Sequence, residues 1–387
     1  MAPLGLIVIL LGGCGTISRP SFDARTPSLA VDIPPDNVQI SSQDRDRLAA
    51  LVFRFGAATG ASSKGGIILA LSGGGANGAY GAGVIVGWTA SGRRPEFDVV
   101  TGISTGALAA PLAFLGPAWD GALERAYLSG QTKRIVNWRN LAALIEPSLF
   151  SPGILKNLID DSVTPELLRQ IAVEHAKGRQ LLVVTTNLDS ESSVIWDMGA
   201  LASRGNPAAL RLFRKILLAS ASIPGVFPPV MIGGRGIDGA PIAEMHGDGG
   251  VTMPFLAVPE SLLLWTDPTG KETGRAVYVL VNAQIAPEYS ITRGTLPAIL
   301  ARTYDSMNKA SLRTTLAANA AFAHRNGLRL FVAAIPAGVD ASSFDFDAHA
   351  MTALFELGRQ RGAAGRAWTA VRPGQDVSEP FAPPPHR

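Results

Sequence analysis

The chain has 387 residues, 47% hydrophobic and 17% charged, which describes a globular protein with a sizeable core in one large or two medium domains. Its formal net charge of +3 gives nucleic-acid binding no electrostatic support, because the basic residues do not cluster. No uninterrupted apolar run reaches the roughly 18 residues that a membrane span requires.

The first element is the apolar run Leu4 to Leu11, too short to span a bilayer and of the length of a signal-peptide core. It ends in Leu11-Gly12-Gly13-Cys14, which resembles the lipobox of bacterial lipoproteins, where the cysteine is lipidated and becomes the mature N-terminus. Cys14 is the only cysteine, so no intramolecular disulfide is possible. The next residue, Gly15, is not the aspartate associated with inner-membrane retention; against the lipoprotein reading, Met1 to Leu6 holds no Lys or Arg. The expectation is a signal peptide over 1–13, an anchor cysteine and linker over 14–60, and an outer-membrane lipoprotein held by its acyl chains. The linker reading rests on Ser, Pro, Asp and Arg without periodicity, as in Ile33-Pro34-Pro35-Asp36.

From Gly65 the texture changes. Ile67 to Leu71 reads as a strand that breaks into Ser72-Gly73-Gly74-Gly75, and Ala79 to Ala90 as a glycine-loosened helix. A strand through Val99 and Val100 and a helix from Thr105 to Leu115 follow. Between them Gly102-Ile103-Ser104-Thr105-Gly106 has the spacing of a nucleophile elbow, a tight strand-to-helix turn that exposes a serine hydroxyl. The helix behind it would aim its positive end at the reacting group. Trp119 to Ile159 reads as mostly helical, with breaks at Pro147 and Pro152, and as an apolar cover for a substrate. Thr164-Pro165-Glu166 starts a helix that Gly178 closes. Strands are expected at Leu181 to Thr185, Val194 to Trp196, Ala276 to Val281 and Leu328 to Ala334. Helices are expected at Ala208 to Ala219 and Leu296 to Phe322, with a Pro- and Gly-rich passage from Ile223 to Gly239. Strands alternating with helices indicate a mostly parallel sheet covered on both faces. The domain boundaries are 61–340 for the main unit and 341–387 for a C-terminal helix and Pro-rich tail.

Acyl transfer needs a nucleophile, a base and donors for an oxyanion. Ser104 is the candidate nucleophile, and Gly73, Gly74 and Gly75 could offer backbone amides at close range. Gly73 to Gly78 also satisfies the Gly-x-Gly-x-x-Gly spacing of dinucleotide sites, but lacks the Gly-Lys-Ser/Thr ending of a phosphate loop. The base is harder to read. Asp248 lies among glycines in His246-Gly247-Asp248-Gly249-Gly250, where an exposed Asp-Gly turn is the plainer local reading. His324 and His349 follow it in the order that an α/β-hydrolase triad needs, although neither sits in a glycine-rich loop. No Cys or His cluster has metal-ligand spacing, and no cofactor is expected.

Four blocks together decide between these readings. Leu69 to Gly75, Gly102 to Gly106, Ala219-Ser220-Ala221-Ser222-Ile223-Pro224 with Phe227-Pro228-Pro229, and Asp248-Gly249-Gly250 occur in the order of the patatin-like phospholipase family, which the chain resembles over about Gly66 to Ala334. The resemblance implies a three-layer α/β/α fold and a serine lipid acyl hydrolase acting on phospholipid or other fatty-acyl esters. It also implies a Ser-Asp dyad, Ser104 with Asp248, and an oxyanion hole at Gly73 to Gly75. The family's glycine block usually continues with a basic residue, where this chain has Asn77. The alternatives are an esterase with a histidine base and a lipid-binding lipoprotein without turnover.

Overall fold

The computed structural model describes residues 19, 38–42, 44, 46–48, 66–128, 152–235, 240–266, 275–371, 376–378 and 381. Its strands are β1 (Gln39–Ser41), β2 (Ile67–Leu71), β3 (Val99–Ile103), β4 (Gln180–Asn187), β5 (Ser192–Asp197), β6 (Val230–Arg235), β7 (Pro241–Asp248), β8 (Ala276–Val281), β9 (Arg329–Ala334) and β10 (Thr369–Ala370). They form one sheet in the order β1-β5-β4-β3-β2-β8-β9-β10, with β7 also paired to β4 and β6 to β7. The middle, β4-β3-β2-β8-β9, is parallel. The margins and the β6–β7 hairpin are antiparallel.

A sheet of continuous apolar strands must be covered on both faces. On one face lie α1 (Gly78–Ala90), α2 (Thr105–Leu115), α3 (Asp120–Leu128), α4 (Pro152–Ser162), α5 (Pro165–Ala176), α6 (Met198–Ala202), α7 (Pro207–Ser220) and a late helix (Ala348–Ala363), around a core that includes Leu69, Leu71, Val100 and Phe114. The opposite face is closed by α8 (Leu296–Arg325), through Leu312, Leu316 and Ala323, and by Met253 to Leu262 under β3 and β4. The late helix is α9. This is the three-layer α/β/α arrangement, with the mostly parallel sheet that the alternation of elements implies.

Most elements fall where the residue pattern puts them. Thr164 caps α5 by accepting from the Leu167 amide at 3.2 Å, and Gly178 follows that helix with φ 94°. Three differences have physical reasons. The Pro- and Gly-rich passage contains β6, whose Gly233 and Gly234 hide the alternation that normally marks a strand. Asp248 ends β7 instead of lying in an exposed turn, because that strand is paired on both sides and carries no simple period-two pattern. Pro152 starts α4 rather than breaking a helix, a position where its missing N–H costs nothing. Residues 129–151 of the expected cover, Cys14 and the signal segment lie outside the described residues.

The helix pair α1 and α9 packs backbone to backbone. A Cβ at Gly83 would stand 2.0 Å from the Phe355 carbonyl oxygen, and one at Gly358 would stand 2.2 Å from that of Tyr80. Glycine is therefore a packing requirement here. Gly83→Ala, which in an isolated helix would gain up to about 1 kcal/mol, should instead cost about 1–3 kcal/mol through overpacking. Urea unfolding of the two proteins measures the sign directly.

Candidate active site

The edge of β4 is what brings the two candidate residues together. β3 pairs with it in parallel as far as Ile103 opposite Val184, and there β3 stops. On the next residue β7 takes over, with Asp248 opposite Thr185. Ser104 follows Ile103 directly, so the end of one strand and the end of another meet at a single point of a third.

Ser104 has φ 56° and ψ −126°, a conformation that residues with a Cβ rarely adopt, and it precedes the first turn of α2. The flanking glycines make this turn possible. A Cβ at Gly102 would lie 2.5 Å from the Gly106 carbonyl oxygen, and one at Gly106 would lie 2.5 Å from that of Leu71. The Ser104 amide donates to Ser220 Oγ at 3.0 Å, and that hydroxyl donates to the Val184 carbonyl at 2.7 Å. Ser220 thus pins the elbow to β4. Sequence matching placed Ser220 in a motif without saying what it does.

Asp248 is 1% exposed. Its Oδ1 accepts from the Gly250 amide at 2.7 Å, whereas Oδ2 is buried without a hydrogen-bond partner. Its backbone is fixed too: the amide donates to the Ser222 carbonyl at 3.0 Å, and the carbonyl accepts from Thr186 Oγ1 at 2.8 Å. Burial pushes the carboxyl up to about 7, and the adjacent Ser104 hydroxyl and the Gly250 amide only partly offset that rise.

The glycine loop lies against the elbow. A Cβ at Gly73 would be 3.2 Å from Ser104 Cβ, so only glycine lets the backbone come this near without displacement. Gly74 and Gly75 have φ 151° and 56°, and their would-be Cβ atoms meet the carbonyl oxygens of Asn282 and Ser343 at 2.2 and 2.1 Å. The Gly73 amide makes a long bond to the Pro254 carbonyl, 3.3 Å. The amides of Gly74 and Gly75 have no partner among the described residues. Asn77 is buried, and its Oδ1 has no hydrogen-bond partner.

From Ser104 a cavity of about 100 Å³ extends between the helices. Gly75, Thr105 and Ser162 contribute to its wall, and apolar side chains from α2, α4, α5 and α7 supply most of the rest. Tyr127, Leu155 and Ile159 belong to the segment read as an apolar cover, and Phe346 and Met351 come from the C-terminal part. No histidine lines it among the described residues. His246 is fully buried behind Asp248, with Nδ1 2.9 Å from Thr185 Oγ1. His349 sits at the start of α9 and His324 in the last turn of α8. No group of three or more candidate metal ligands occurs among the described residues.

A carboxyl raised in this way destabilises the fold at any pH where the unfolded chain has lost that proton. The stability tied to its protonated form is fully present below the unfolded value near 4 and is lost as pH rises through about 7. Asp248→Asn, which cannot ionise, should match the wild type near pH 3, gain on it steadily as pH rises from about 4 to about 7, and exceed it at pH 8 by up to about 4 kcal/mol. Chemical denaturation at the two pH values measures the difference.

Comparison with known proteins adds a family. A search of curated proteins finds no match. A solved structure, that of VipD from Legionella pneumophila, is similar at 12% identity and a TM-score of 0.36, covering 79% of this chain and 68% of that one. That likeness is too low to bear on the site. Residues 69–259 match the model of the patatin-like phospholipase family, a segment that contains the glycine loop, the elbow, the Ser220 block and Asp248. Residues 69–259 are therefore a patatin-like phospholipase domain.

Proposed function

We propose that the protein is a serine lipid acyl hydrolase working through a Ser104–Asp248 dyad. The observation that carries the reading is the meeting of Ser104 and a buried Asp248, raised to about 7, at the head of an apolar cavity. An ordinary carboxylate is too weak a base for a serine hydroxyl. One whose pKa lies near the working pH combines a useful ionised fraction with real basicity.

In the proposed cycle the Asp248 carboxylate takes the Ser104 hydroxyl proton as Oγ attacks the ester carbonyl. The carbonyl oxygen gains negative charge and is met by the Gly74 and Gly75 amides, with Gly73 allowing the close approach. The positive end of α2 favours the same charge. As the tetrahedral intermediate collapses, the alcohol leaves with the proton from Asp248, and the acyl group stays on Ser104. Asp248 then deprotonates a water, which attacks the acyl-enzyme. Fatty acid departs and the serine hydroxyl is restored. The cavity walls suit an acyl chain, since each buried methylene contributes about 0.8 kcal/mol.

Ser104→Ala and Asp248→Asn should each lower fatty-acid release by about a thousandfold or more, with folding intact by circular dichroism. Fluorophosphonate labelling should vanish in Ser104→Ala. His246, His324 and His349 substitutions that preserve folding should retain turnover. Loss in any one of them would favour a histidine base instead. In the wild type, kcat/KM should fall about tenfold per pH unit below about 7, because only the ionised carboxylate accepts the proton.

The proposal extends to lipidation of Cys14 and attachment to a bacterial envelope membrane, supported by the Leu11-Gly12-Gly13-Cys14 sequence. In cells fed a radiolabelled fatty acid, the wild type should incorporate label and Cys14→Ala should not.

A further inference from the structure

Nine large apolar side chains are strongly exposed among the described residues, and five of them lie between residues 289 and 307. The chain leaves β8 at Asn282, whose carbonyl packs on Gly74, and so this segment starts from the same edge of the sheet as Ser104. Tyr289 and Ile291 are 94% and 88% exposed. Ile299, Leu300 and Met307 continue the surface on α8, at spacings that share one helical face. The Arg302 guanidinium donates to the Glu288 carbonyl and holds the loop onto that helix. By contrast Leu264, also highly exposed, belongs to the other edge: its neighbour Trp265 shares a cavity with Gly66 and Asp98, where β2 and β3 begin.

A concentration of exposed apolar groups on one edge marks a surface that something covers. Its chemistry favours lipid. Arg293 stands beside Ile291, exposed and without an ion-pair partner among the described residues, so a cation flanks the apolar groups. Tyr289 joins an apolar ring to a polar tip, the type of side chain that settles at a membrane interface. The N-terminal side of the chain arrives at this edge too. Arg19 donates to Asp189 at 2.6 Å, just past the end of β4. Ser104 thus falls between the point where an anchored N-terminus would reach the domain and the apolar surface. The same stretch of α8 borders the site: Tyr304, one turn from both Leu300 and Met307, packs on Phe344 at 5.7 Å, and the Asp248 charge, after burial, raises its phenol's pKa.

We propose that Tyr289, Ile291, Ile299, Leu300 and Met307 form an interfacial surface that seats in an anionic phospholipid bilayer, on the edge that carries Ser104. This rests on the acyl-hydrolase reading for its purpose, since the substrate would then be drawn from the layer in which the surface sits. A short, shallow insertion is meant, because no helix of the described residues is long and apolar enough to cross a membrane.

The single cysteine makes a direct test possible. In the full chain carrying Cys14→Ser, an environment-sensitive dye is placed through Tyr289→Cys, Leu300→Cys or Leu264→Cys, one at a time. On adding phosphatidylglycerol/phosphatidylcholine vesicles, the dyes at 289 and 300 should shift to the blue and be quenched by brominated lipid, while the dye at 264 should not respond. Dyes at 289 and 300 that stay solvent-like, or three dyes that respond alike, would overturn the surface. A blue shift without vesicles that grows with protein concentration would replace the bilayer by a second copy of the chain. The double variant Ile291→Asp/Leu300→Asp should bind vesicles at least about tenfold more weakly and hydrolyse a soluble short-chain ester as the wild type does. The dye experiment is repeated with Ser104→Ala. Insertion by a protein that hydrolyses nothing would keep the surface and remove the hydrolase reading, and ester hydrolysis without insertion would do the reverse.

Discussion

One edge of β4 serves two strands in succession, and the site depends on that handover. β3 occupies the edge up to Val184 and β7 occupies it from Thr185. Because ladder pairing fixes position to within a fraction of a residue spacing, the handover brings Ser104 and Asp248 together without a long loop to hold either. A one-residue slip of β7 would turn Asp248 to the other face of the sheet. Such a slip is opposed by hydrogen bonds from the Asp248 amide to Ser222 and from Thr186 to the Asp248 carbonyl.

Holding the two residues there carries a cost that the rest of the domain offsets. Ser104 adopts a positive φ, a strain of order 1–3 kcal/mol. Asp248 keeps a buried oxygen without a partner, at a desolvation cost of similar size. The surroundings are correspondingly rigid. The elbow is tied down by Ser220, and the glycine loop is packed against Asn282 and Ser343. The same burial that makes Asp248 expensive gives its carboxyl a pKa near neutrality, so the instability and the basicity have one origin.

Much of this was legible in the residues. The apolar runs from Ile67 and from Ala276 gave strands at those bounds, and Thr105 to Leu115 gave a helix, since apolar period and punctuation by glycine act locally. The family blocks singled out Ser104 and Asp248, which the fold brings together. β6 and β7 were not legible, because β7 is seated by β4, far away in the sequence, β6 pairs only with β7, and the glycines of β6 blur any alternation. Nor did sequence show that Ser220 braces the elbow, or that Phe346 and Met351 wall the cavity. Those facts exist only once distant segments have packed. The exposed surface on α8 was equally silent, since an apolar residue in a long helix carries no mark of whether it faces core or solvent.

The contact of Asn282 and Ser343 with the glycine loop separates two kinds of boundary. Every residue proposed for the chemistry lies within 69–259, the part of the chain that bears the family's signature. Yet the atoms that press Gly74 and Gly75 into place come from after it, as does β8, the strand that pairs with β2 on the side away from β3. Excised at the signature's limits, the segment would leave β2 as a bare edge, open to pairing with other chains. The chemical unit is shorter than the folding unit, and recombination that respects only the first would yield a sheet cut through its middle.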